Sequence, residues 1–302
     1  MSACLRLCWR HGGDVAAGEQ SGSEVRVRRE ADGSPGEEVV DGAASATMNL
    51  VLLRDTDSWL ADGVVRLGDH RADHILGQLG AVVGDTVKVG VLAGQVGVAV
   101  VVAIDQGTVS LAVDLLRSPP PRHSFDLVLA LPRPKMLRRI LRTVAEFGVQ
   151  NLHLINSARV EKSYWQTPLL KPAKVEEALI AGMERASDTV FPQVHLHKRF
   201  RPFVEDQLTS LCAGRTCWIA DMEAPVGLAE QPPAPAVVMI GPEGGFVPFE
   251  LDLAESVVAR RVHLGVRTFS VDTALTTVLA QVLPGTAECE GMGLNAQTPQ
   301  GS

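Results

Sequence analysis

The chain has 302 residues, of which 46% are hydrophobic and 21% are charged, a composition typical of a globular protein. No apolar stretch reaches the roughly 20 residues that a membrane-spanning helix needs. The formal net charge of −7 shows no overall excess of basic residues of the kind that marks many nucleic-acid-binding proteins. The five cysteines are odd in number and form no CxxC pair, so we expect neither a disulfide framework nor a zinc site.

Residues 1–47 are rich in glycine, serine, alanine and charge and have no sustained hydrophobic period, which predicts a disordered extension. The first residues faintly resemble a targeting leader, but the acidic residues that follow argue against a long transit peptide. We therefore expect a cytoplasmic protein, with a mitochondrial or plastid location as the alternative if residues 1–47 are a leader. Residues 288–302 are polar and are expected to form a flexible tail.

Short apolar runs rich in valine fill residues 48–117 and are separated by turns that contain glycine. This pattern predicts the strands of a small barrel-like β domain. One interruption, D-H-R-A-D-H-I-L-G-Q-L, is expected to form a short helix that carries His70, Arg71 and His74. Three consecutive prolines within residues 118–124 indicate a stiff linker at a domain boundary.

From residue 125 to residue 287, short apolar runs alternate with longer segments of helical period. The runs are apolar on both faces, which is typical of a mostly parallel sheet buried between helices. Strands are expected at residues 125–131, 151–155, 193–197, 216–220, 236–240 and 261–264. Helices are expected at residues 135–148, 167–187, 203–212, 247–260 and 271–283.

Two loops that contain glycine follow strands of this sheet and lead into helices: GPEGGF at residues 241–246 and HLGVRTFSVDTA at residues 263–274. Glycine lets a backbone approach a ligand closely or adopt a positive φ, although the first loop alone is equally typical of a tight turn. Neither loop carries the GK[ST] of a phosphate-binding P-loop or the GxGxxG dinucleotide signature. Because both follow the carboxyl ends of strands, we expect them to border one crevice.

Taken together, the two loops resemble the SPOUT superfamily of RNA methyltransferases and, within it, the RsmE family, which methylates N3 of a uridine in small-subunit ribosomal RNA. Residues 241–245 match the GPEGG segment of that family. The residues that match its L-G-x-R-I-L-R-x-E-T-A segment are Leu264, Gly265, Arg267, Thr273 and Ala274. The segments A-L-P-R-P-K-M-L-R-R-I-L-R-T-V-A-E-F-G-V and A-R-V-E-K-S-Y-W and the β domain are also similar, so the resemblance covers about residues 48–284.

The resemblance implies an α/β fold: a SPOUT-type trefoil-knotted parallel sheet with helices on both faces, preceded by a small PUA-like RNA-binding β-barrel domain. It implies S-adenosyl-L-methionine (SAM) as the cofactor, ribosomal RNA as the partner and a homodimer formed through the knot, with no metal and no membrane partner. The cofactor-binding residues that it implies are Ile240, Gly241, Gly244, Gly245, Leu264, Gly265, Val266, Phe269 and Thr273.

Three charged residues of the two loops are candidate catalytic residues. Glu243 is a candidate for orienting the substrate or the methionine amine, although a glutamate near a helix N-terminus also complements the helix dipole. Arg267 is a candidate for binding phosphate or a carboxylate, with a surface ion pair as the alternative. Asp272 is either catalytic or the N-cap of the last helix.

A cluster of five basic residues is the candidate RNA-binding surface: Arg133, Lys135, Arg138, Arg139 and Arg142. A solvated helix face is the alternative, but Glu146 is the one matching acid nearby in the sequence, which favours contact with an RNA backbone. His70 and Arg71 are expected to add contacts from the β domain.

Two positions depart from the family pattern. Ser270 stands where the pattern carries its second arginine, and Asp188 stands where another segment carries an arginine. These changes leave the cofactor site better preserved than the substrate site. The alternative function is therefore a catalytically weak or inactive relative that binds RNA or acts as a scaffold.

Overall fold

The computed structural model describes residues 50–283, so the expectations for residues 1–47 and 288–302 lie outside the described residues. Over residues 50–283, no helix is both long and apolar enough to cross a membrane. The described chain contains two six-stranded sheets that follow one another in the sequence. The second sheet carries the two glycine-containing loops.

The first sheet is built from Val51–Leu53 (β1), Ser58–Trp59 (β2), Val64–Leu67 (β3), Thr86–Val91 (β4), Val96–Asp105 (β5) and Thr108–Arg117 (β6). Its order is β1-β4-β5-β6-β3-β2, with β1 and β4 parallel and all other pairs antiparallel. The sheet curls into a half-barrel with β1 and β2 as its two edges, which agrees with the expected small PUA-like β domain. The predicted short helix is present, and its Ile75 is buried in the core of the sheet.

The second sheet is parallel throughout and is built from His123–Ala130 (β7), Val149–Ile155 (β8), Gln193–His197 (β9), Thr216–Ala220 (β10), Ala236–Ile240 (β11) and Arg260–Val262 (β12). Its order is β12-β10-β11-β7-β8-β9. Every residue of β11 is buried, as a central strand covered on both faces requires. The predicted parallel sheet is therefore confirmed.

The helices are His70–Asp73 (α1), Pro134–Glu146 (α2), Pro172–Ala186 (α3), Phe200–Phe203 (α4), Thr209–Cys212 (α5), Pro248–Val257 (α6) and Val271–Val282 (α7). The π-helical turn His74–Gln78 continues α1, and the π-helical turn Val204–Leu208 joins α4 to α5. Helix α2 contacts α3 and α7, whereas α6 contacts the α4–α5 segment, which is the grouping expected of helices that cover two faces of a sheet.

The expected helix at residues 167–187 is wrong at its N-terminal end. The structure has a short 3-10 turn at Pro168–Leu170, and α3 begins only at Pro172. Lys171 lies between them with φ −66° and ψ 138°. A residue that precedes proline is driven out of the helical region by contact with the proline ring, so two closely spaced prolines divide the segment.

Strand β1 joins the two halves of the described chain, because successive side chains of a strand point to opposite faces. Val51 and Leu53 are buried in the core of the half-barrel. Leu50 and Leu52 are buried in the larger core, which covers the second sheet. The half-barrel is therefore packed against the parallel sheet through shared apolar residues.

Asp188, which stands where the family pattern has an arginine, is a buried residue of this junction. Its carboxylate accepts hydrogen bonds from the backbone N–H groups of Thr189 and Val190 at 2.7 and 3.1 Å. It also forms an ion pair with Arg122 at 2.6 Å. Asp188 is 3% exposed, so its charge is engaged in holding the chain after α3.

Candidate active site

A cavity of about 350 Å³ lies at the carboxyl ends of β10 and β11, next to the segment that follows β12. These strands are neighbours in a parallel sheet, so their carboxyl ends meet at one edge, where open α/β sheets commonly bind ligands. The lining residues come from four parts of the chain: Arg159, residues 220–223, residues 240–246 with Pro248 and Leu251, and residues 264, 267–269, 271 and 274. The cavity therefore contains residues of both loops that the sequence singled out.

The first loop, residues 241–246, turns sharply between β11 and α6. The N–H of Gly245 donates to the carbonyl of Pro242 at 2.7 Å, and Gly245 has φ +72°. A Cβ atom at Gly241 would lie 2.9 Å from the backbone nitrogen of Phe246. Only glycine fits position 241 without moving the loop, and only glycine adopts the φ of position 245 at no steric cost.

The second loop connects β12 to α7 and supplies an apolar wall. Leu264 and Phe269 line the cavity and pack against the main core. Gly265 has φ +134°, so the chain turns there in a conformation that favours glycine. Helix α7 begins after the N-cap Ser270, and its first residue, Val271, lines the cavity. Asp272 lies in the first turn of the helix, so the expectation that it is the N-cap is wrong by two residues.

A third segment of the cavity, residues 220–223 at the end of β10, was not among the predicted site residues. The Asp221 carboxylate accepts a hydrogen bond from the backbone N–H of Glu223 at 3.2 Å and lies 3.6 Å from Arg261. Strand β10 lies between β11 and β12 in the sheet, so its end falls between the two predicted loops. The position of residues 220–223 beside the cavity follows from the strand order. The segment itself contains no glycine that would mark it in the sequence.

Arg159 is a second cavity residue that was not among the predicted site residues. It follows β8, is exposed, lines the cavity and donates a hydrogen bond to the carbonyl of Gly244. The loop that carries it is fixed by Glu250 of α6, which is 3% exposed. The Glu250 carboxylate accepts hydrogen bonds from the N–H of Ala158 at 2.7 Å, the hydroxyl of Ser157 at 3.1 Å and the N–H of Val247 at 3.1 Å.

Of the expected cofactor-binding residues, six line the cavity: Ile240, Gly241, Gly244, Gly245, Leu264 and Phe269. The other three, Gly265, Val266 and Thr273, do not line it. Val266 is 93% exposed. Thr273 is exposed on the first turn of α7, where its hydroxyl lies 3.0 Å from the hydroxyl of Ser270.

The three candidate catalytic residues have different surroundings. Arg267 lines the cavity and is exposed, with no ion-pair partner in the described part of the chain. Glu243 also lines the cavity, and its carboxylate lies 3.4 Å from the guanidinium of Arg133. Asp272 lies beside the cavity wall, where the Ser270 hydroxyl lowers the pKa of its carboxyl group below the ordinary value and Arg139 lowers it further.

The basic residues of α2 are matched by acids that are distant in the sequence, which corrects the expectation that Glu146 is their one available acid. Arg133 pairs with Glu243, and Arg139 pairs with Asp272 at 2.9 Å. The remaining pair is Arg138 with Glu177 of α3, at 2.7 Å. Glu146 itself pairs with Arg185. Among residues 50–283, Lys135 and Arg142 have no ion-pair partner.

Arg71 has a structural role that conflicts with its expected role as a free RNA-binding cation. Its guanidinium donates to Asp57, to Asp69 and to the carbonyl of Leu52, at 2.7 to 3.1 Å, so all of its N–H groups have acceptors. The side chain of Arg71 is 11% exposed, whereas that of His70 is 82% exposed. Of the two side chains, only that of His70 is accessible to an RNA partner.

Comparison with known proteins gives a consistent result. Residues 119–283 match the family model described as an RNA methyltransferase domain. Ribosomal RNA small subunit methyltransferase E of Treponema pallidum is 28% identical over 242 residues, which cover 78% of this chain and 91% of the relative. A protein of Borreliella burgdorferi, ribosomal RNA small subunit methyltransferase E 1, is 23% identical over 236 residues, which cover 78% of this chain and 97% of the relative.

Solved structures show the same fold. The ribosomal RNA small subunit methyltransferase E of Neisseria gonorrhoeae, bound to S-adenosyl methionine, is 20% identical, with a TM-score of 0.60 over 77% of this chain and 95% of that chain. A Legionella pneumophila methyltransferase in complex with SAM is 16% identical, with a TM-score of 0.60 over 76% of this chain and 96% of that chain. The SPOUT-type fold is therefore confirmed. Because the family model spans more than half of the sequence, this chain belongs to the RNA methyltransferase family, and its resemblance to the RsmE group is confirmed.

Proposed function

We propose that this protein transfers the methyl group of SAM to N3 of a uridine in small-subunit ribosomal RNA. The observation that carries the proposal is the cavity in which the GPEGG loop and the second loop meet at one sheet edge. Membership of the RNA methyltransferase family supports methyl transfer to RNA. The relatives from Treponema and Borreliella are both named as methyltransferases of small-subunit ribosomal RNA, which supports the small ribosomal subunit as the source of the substrate.

The residues of the cavity fit SAM in size and chemistry. A volume of about 350 Å³ lies within the usual range of small-molecule sites, and Ile240, Leu264 and Phe269 give it apolar walls. Gly241, Gly244 and Gly245 line the cavity, and a residue without a Cβ atom lets the backbone approach a ligand closely. Leu264 and Phe269 would hold the adenine, and Ile240, Gly241 and Gly244 would line the methionine side. The carboxylate of Glu243 at the cavity wall would complement the positive charge of the cofactor.

When bound, SAM supplies a methyl group on a positively charged sulfur, which is already electrophilic. The protein must then hold the uracil in line with that methyl group and favour loss of the N3 proton. Arg267 is an exposed cation of the cavity wall that has no ion-pair partner among the described residues. A positive charge there would lower the pKa of the N3–H group by stabilising the N3 anion.

The RNA strand is proposed to reach the cavity along the N-terminal half of α2. Arg133, the residue before α2, and Lys135, in its first turn, are exposed, and basic side chains attract phosphate groups independently of sequence. The homodimer formed through the knot and the cytoplasmic location remain predictions.

The test begins with calorimetric titration of SAM into the full chain. Gly244 lines the cavity, and a Cβ atom there would first meet the flexible side chain of Arg159 at 3.0 Å, so Gly244→Trp should fold and fill the cavity. Gly77→Trp is the matched control, because Gly77 is exposed and a Cβ atom there would meet no atom within 4 Å. We expect the wild type to bind SAM, Gly244→Trp to abolish this binding, and Gly77→Trp to leave it unchanged.

Transfer of labelled methyl from SAM to small-subunit RNA then tests the substrate. Nucleosides of the product should contain 3-methyluridine by mass spectrometry. Absence of SAM binding would refute the cofactor assignment. Methylation at another base would leave the cofactor assignment intact and refute the choice of uridine N3.

A further inference from the structure

The side chain of Arg159 lies against the first loop of the cavity. Its guanidinium donates a hydrogen bond to the carbonyl of Gly244. A Cβ atom at Gly244 would lie 3.0 Å from the Cδ and 3.8 Å from the Nη1 of Arg159, and one at Gly245 would lie 4.0 Å from the same Nη1. Because neither glycine carries a side chain, the guanidinium lies close to the loop backbone at the cavity that Arg159 lines.

The positive charge of Arg159 is not neutralised within the described part of the chain. Its hydrogen-bond acceptor is a carbonyl group, which carries no net charge, and over residues 50–283 it forms no ion pair. Arg133, which reaches the same loop, is paired with the carboxylate of Glu243 at 3.4 Å. A guanidinium has five N–H groups in a planar fork, and the side chain of Arg159 is exposed. Arg159 can therefore still bind an anionic group in the cavity.

The first loop presents opposite charges at two consecutive residues. The carboxylate of Glu243 lines the cavity, and the guanidinium of Arg159 is held at Gly244. The methionine end of SAM carries an ammonium group and a carboxylate on one carbon atom, so the loop matches both groups in charge. A guanidinium is well suited to the carboxylate, because its fork can donate two parallel hydrogen bonds. The apolar Leu264 and Phe269 belong to the second loop, on the side proposed for the adenine.

We infer that Arg159 binds the carboxylate of the methionine end of SAM and makes the site selective for a cofactor with an intact amino-acid group. This inference rests on the proposed function. The position of Arg159 is fixed by the residue before it, since the N–H of Ala158 donates to the buried carboxylate of Glu250 at 2.7 Å. Arg267, a cation of the second loop, is then left for the uracil.

The experiment compares two ligands that differ only in this carboxylate: SAM and decarboxylated SAM. Both are titrated calorimetrically into the full chain of the wild type, Arg159→Ala, Arg159→Lys, Arg267→Ala and Arg117→Ala. Arg117→Ala is the matched control, because Arg117 is exposed at the end of β6 and does not line the cavity. The quantity compared is the ratio of the two affinities, since a general distortion of the site lowers both affinities together.

We expect Arg159→Ala to lower the affinity for SAM about 10-fold, the order of a charge-assisted hydrogen bond at an exposed site. The affinity for decarboxylated SAM should change by less than about twofold, because that ligand has no carboxylate to lose. Arg159→Lys should give an intermediate ratio, since an ammonium group keeps the charge but not the planar fork. Arg267→Ala and Arg117→Ala should keep the wild-type ratio.

Three results would overturn the inference. Equal losses of both affinities in Arg159→Ala would make its role structural, and an unchanged SAM affinity would remove it from the site. A loss confined to SAM in Arg267→Ala, and absent in Arg159→Ala, would place the carboxylate at the second loop.

Failure of the proposed function has a different signature. If the wild type binds neither ligand, the cofactor assignment is wrong and the role of Arg159 is refuted with it. If the wild type binds SAM but methylates no RNA, the proposed reaction is wrong, and the ratios of the two affinities still decide the role of Arg159.

Discussion

At the scale of single residues, the two glycines that line the first loop are not equivalent. A Cβ atom at Gly241 would lie 2.9 Å from the nitrogen of Phe246 and 3.1 Å from the carbonyl carbon of Gly245, both backbone atoms. At Gly244 the nearest atom, at 3.0 Å, is the Cδ of Arg159, which can move. The steric cost of adding a side chain depends on whether the neighbouring atoms can move. Of the two positions, only 241 is therefore restricted to glycine by the loop backbone.

Gly241→Ala should therefore weaken both the fold and the cavity. We expect it to lower the free energy of unfolding by about 1–3 kcal/mol, the usual cost of overpacking, and to reduce SAM affinity at least several-fold because the loop must shift. Gly244→Ala serves as the control and should change both quantities little. Urea unfolding and calorimetric titration of the two variants measure this, and equal effects at both positions would contradict the argument.

The two loops could be predicted from the sequence because glycines directly after a buried strand indicate a backbone that turns sharply or approaches a ligand closely. Arg159 and Asp221 could not be predicted, because their contribution depends on which strands are neighbours. Strand β10 precedes β11 in the sequence but lies between β11 and β12 in the sheet. The pairing of Arg139 with Asp272 joins residues 133 positions apart, and spacing along one helix does not reveal such partners.

At the scale of elements, Glu250 connects helix α6 to two loops that border the cavity. Its carboxylate accepts two backbone N–H groups, from Ala158 and Val247, and one hydroxyl group, from Ser157. Both oxygens are used, and the side chain is buried. The position of the loop that carries Arg159 therefore depends on one carboxylate.

Replacing this carboxylate by an amide should loosen the loops. In Glu250→Gln an NH2 group must face at least one backbone N–H, so a buried donor loses its acceptor, which costs about 2 kcal/mol. We expect this loss in urea unfolding, together with weaker SAM binding. Glu255→Gln on the same helix is the control, because Glu255 is exposed and pairs with Arg261. Equal stability of the two variants would show that Glu250 is not the connecting group.

At the scale of the whole molecule, a group of histidines at the edge of the second sheet is expected to make the free energy of unfolding depend on pH. His153 of β8 is opposite His195 of β9, and their ring centroids are 4.5 Å apart. The Nδ1 of His153 lies 3.1 Å from the Nε2 of His197, a contact that needs one neutral acceptor nitrogen. Burial, together with the neighbouring histidines His195 and His197, lowers the pKa of His153 to about 4.

Because the pKa of His153 in the folded protein lies below its value in the unfolded chain, the unfolded chain binds the proton more tightly. The stability that neutral His153 contributes to the folded protein is complete above about pH 6.5 and is lost as the pH falls towards 4. Between about pH 7.5 and about pH 5 this one group should lower the free energy of unfolding by about 2 kcal/mol. His153→Leu should remove that part of the decrease, whereas His70→Leu at an exposed position should leave it unchanged. Urea unfolding at the two pH values measures the difference, and an unchanged acid dependence in His153→Leu would assign the effect to other groups.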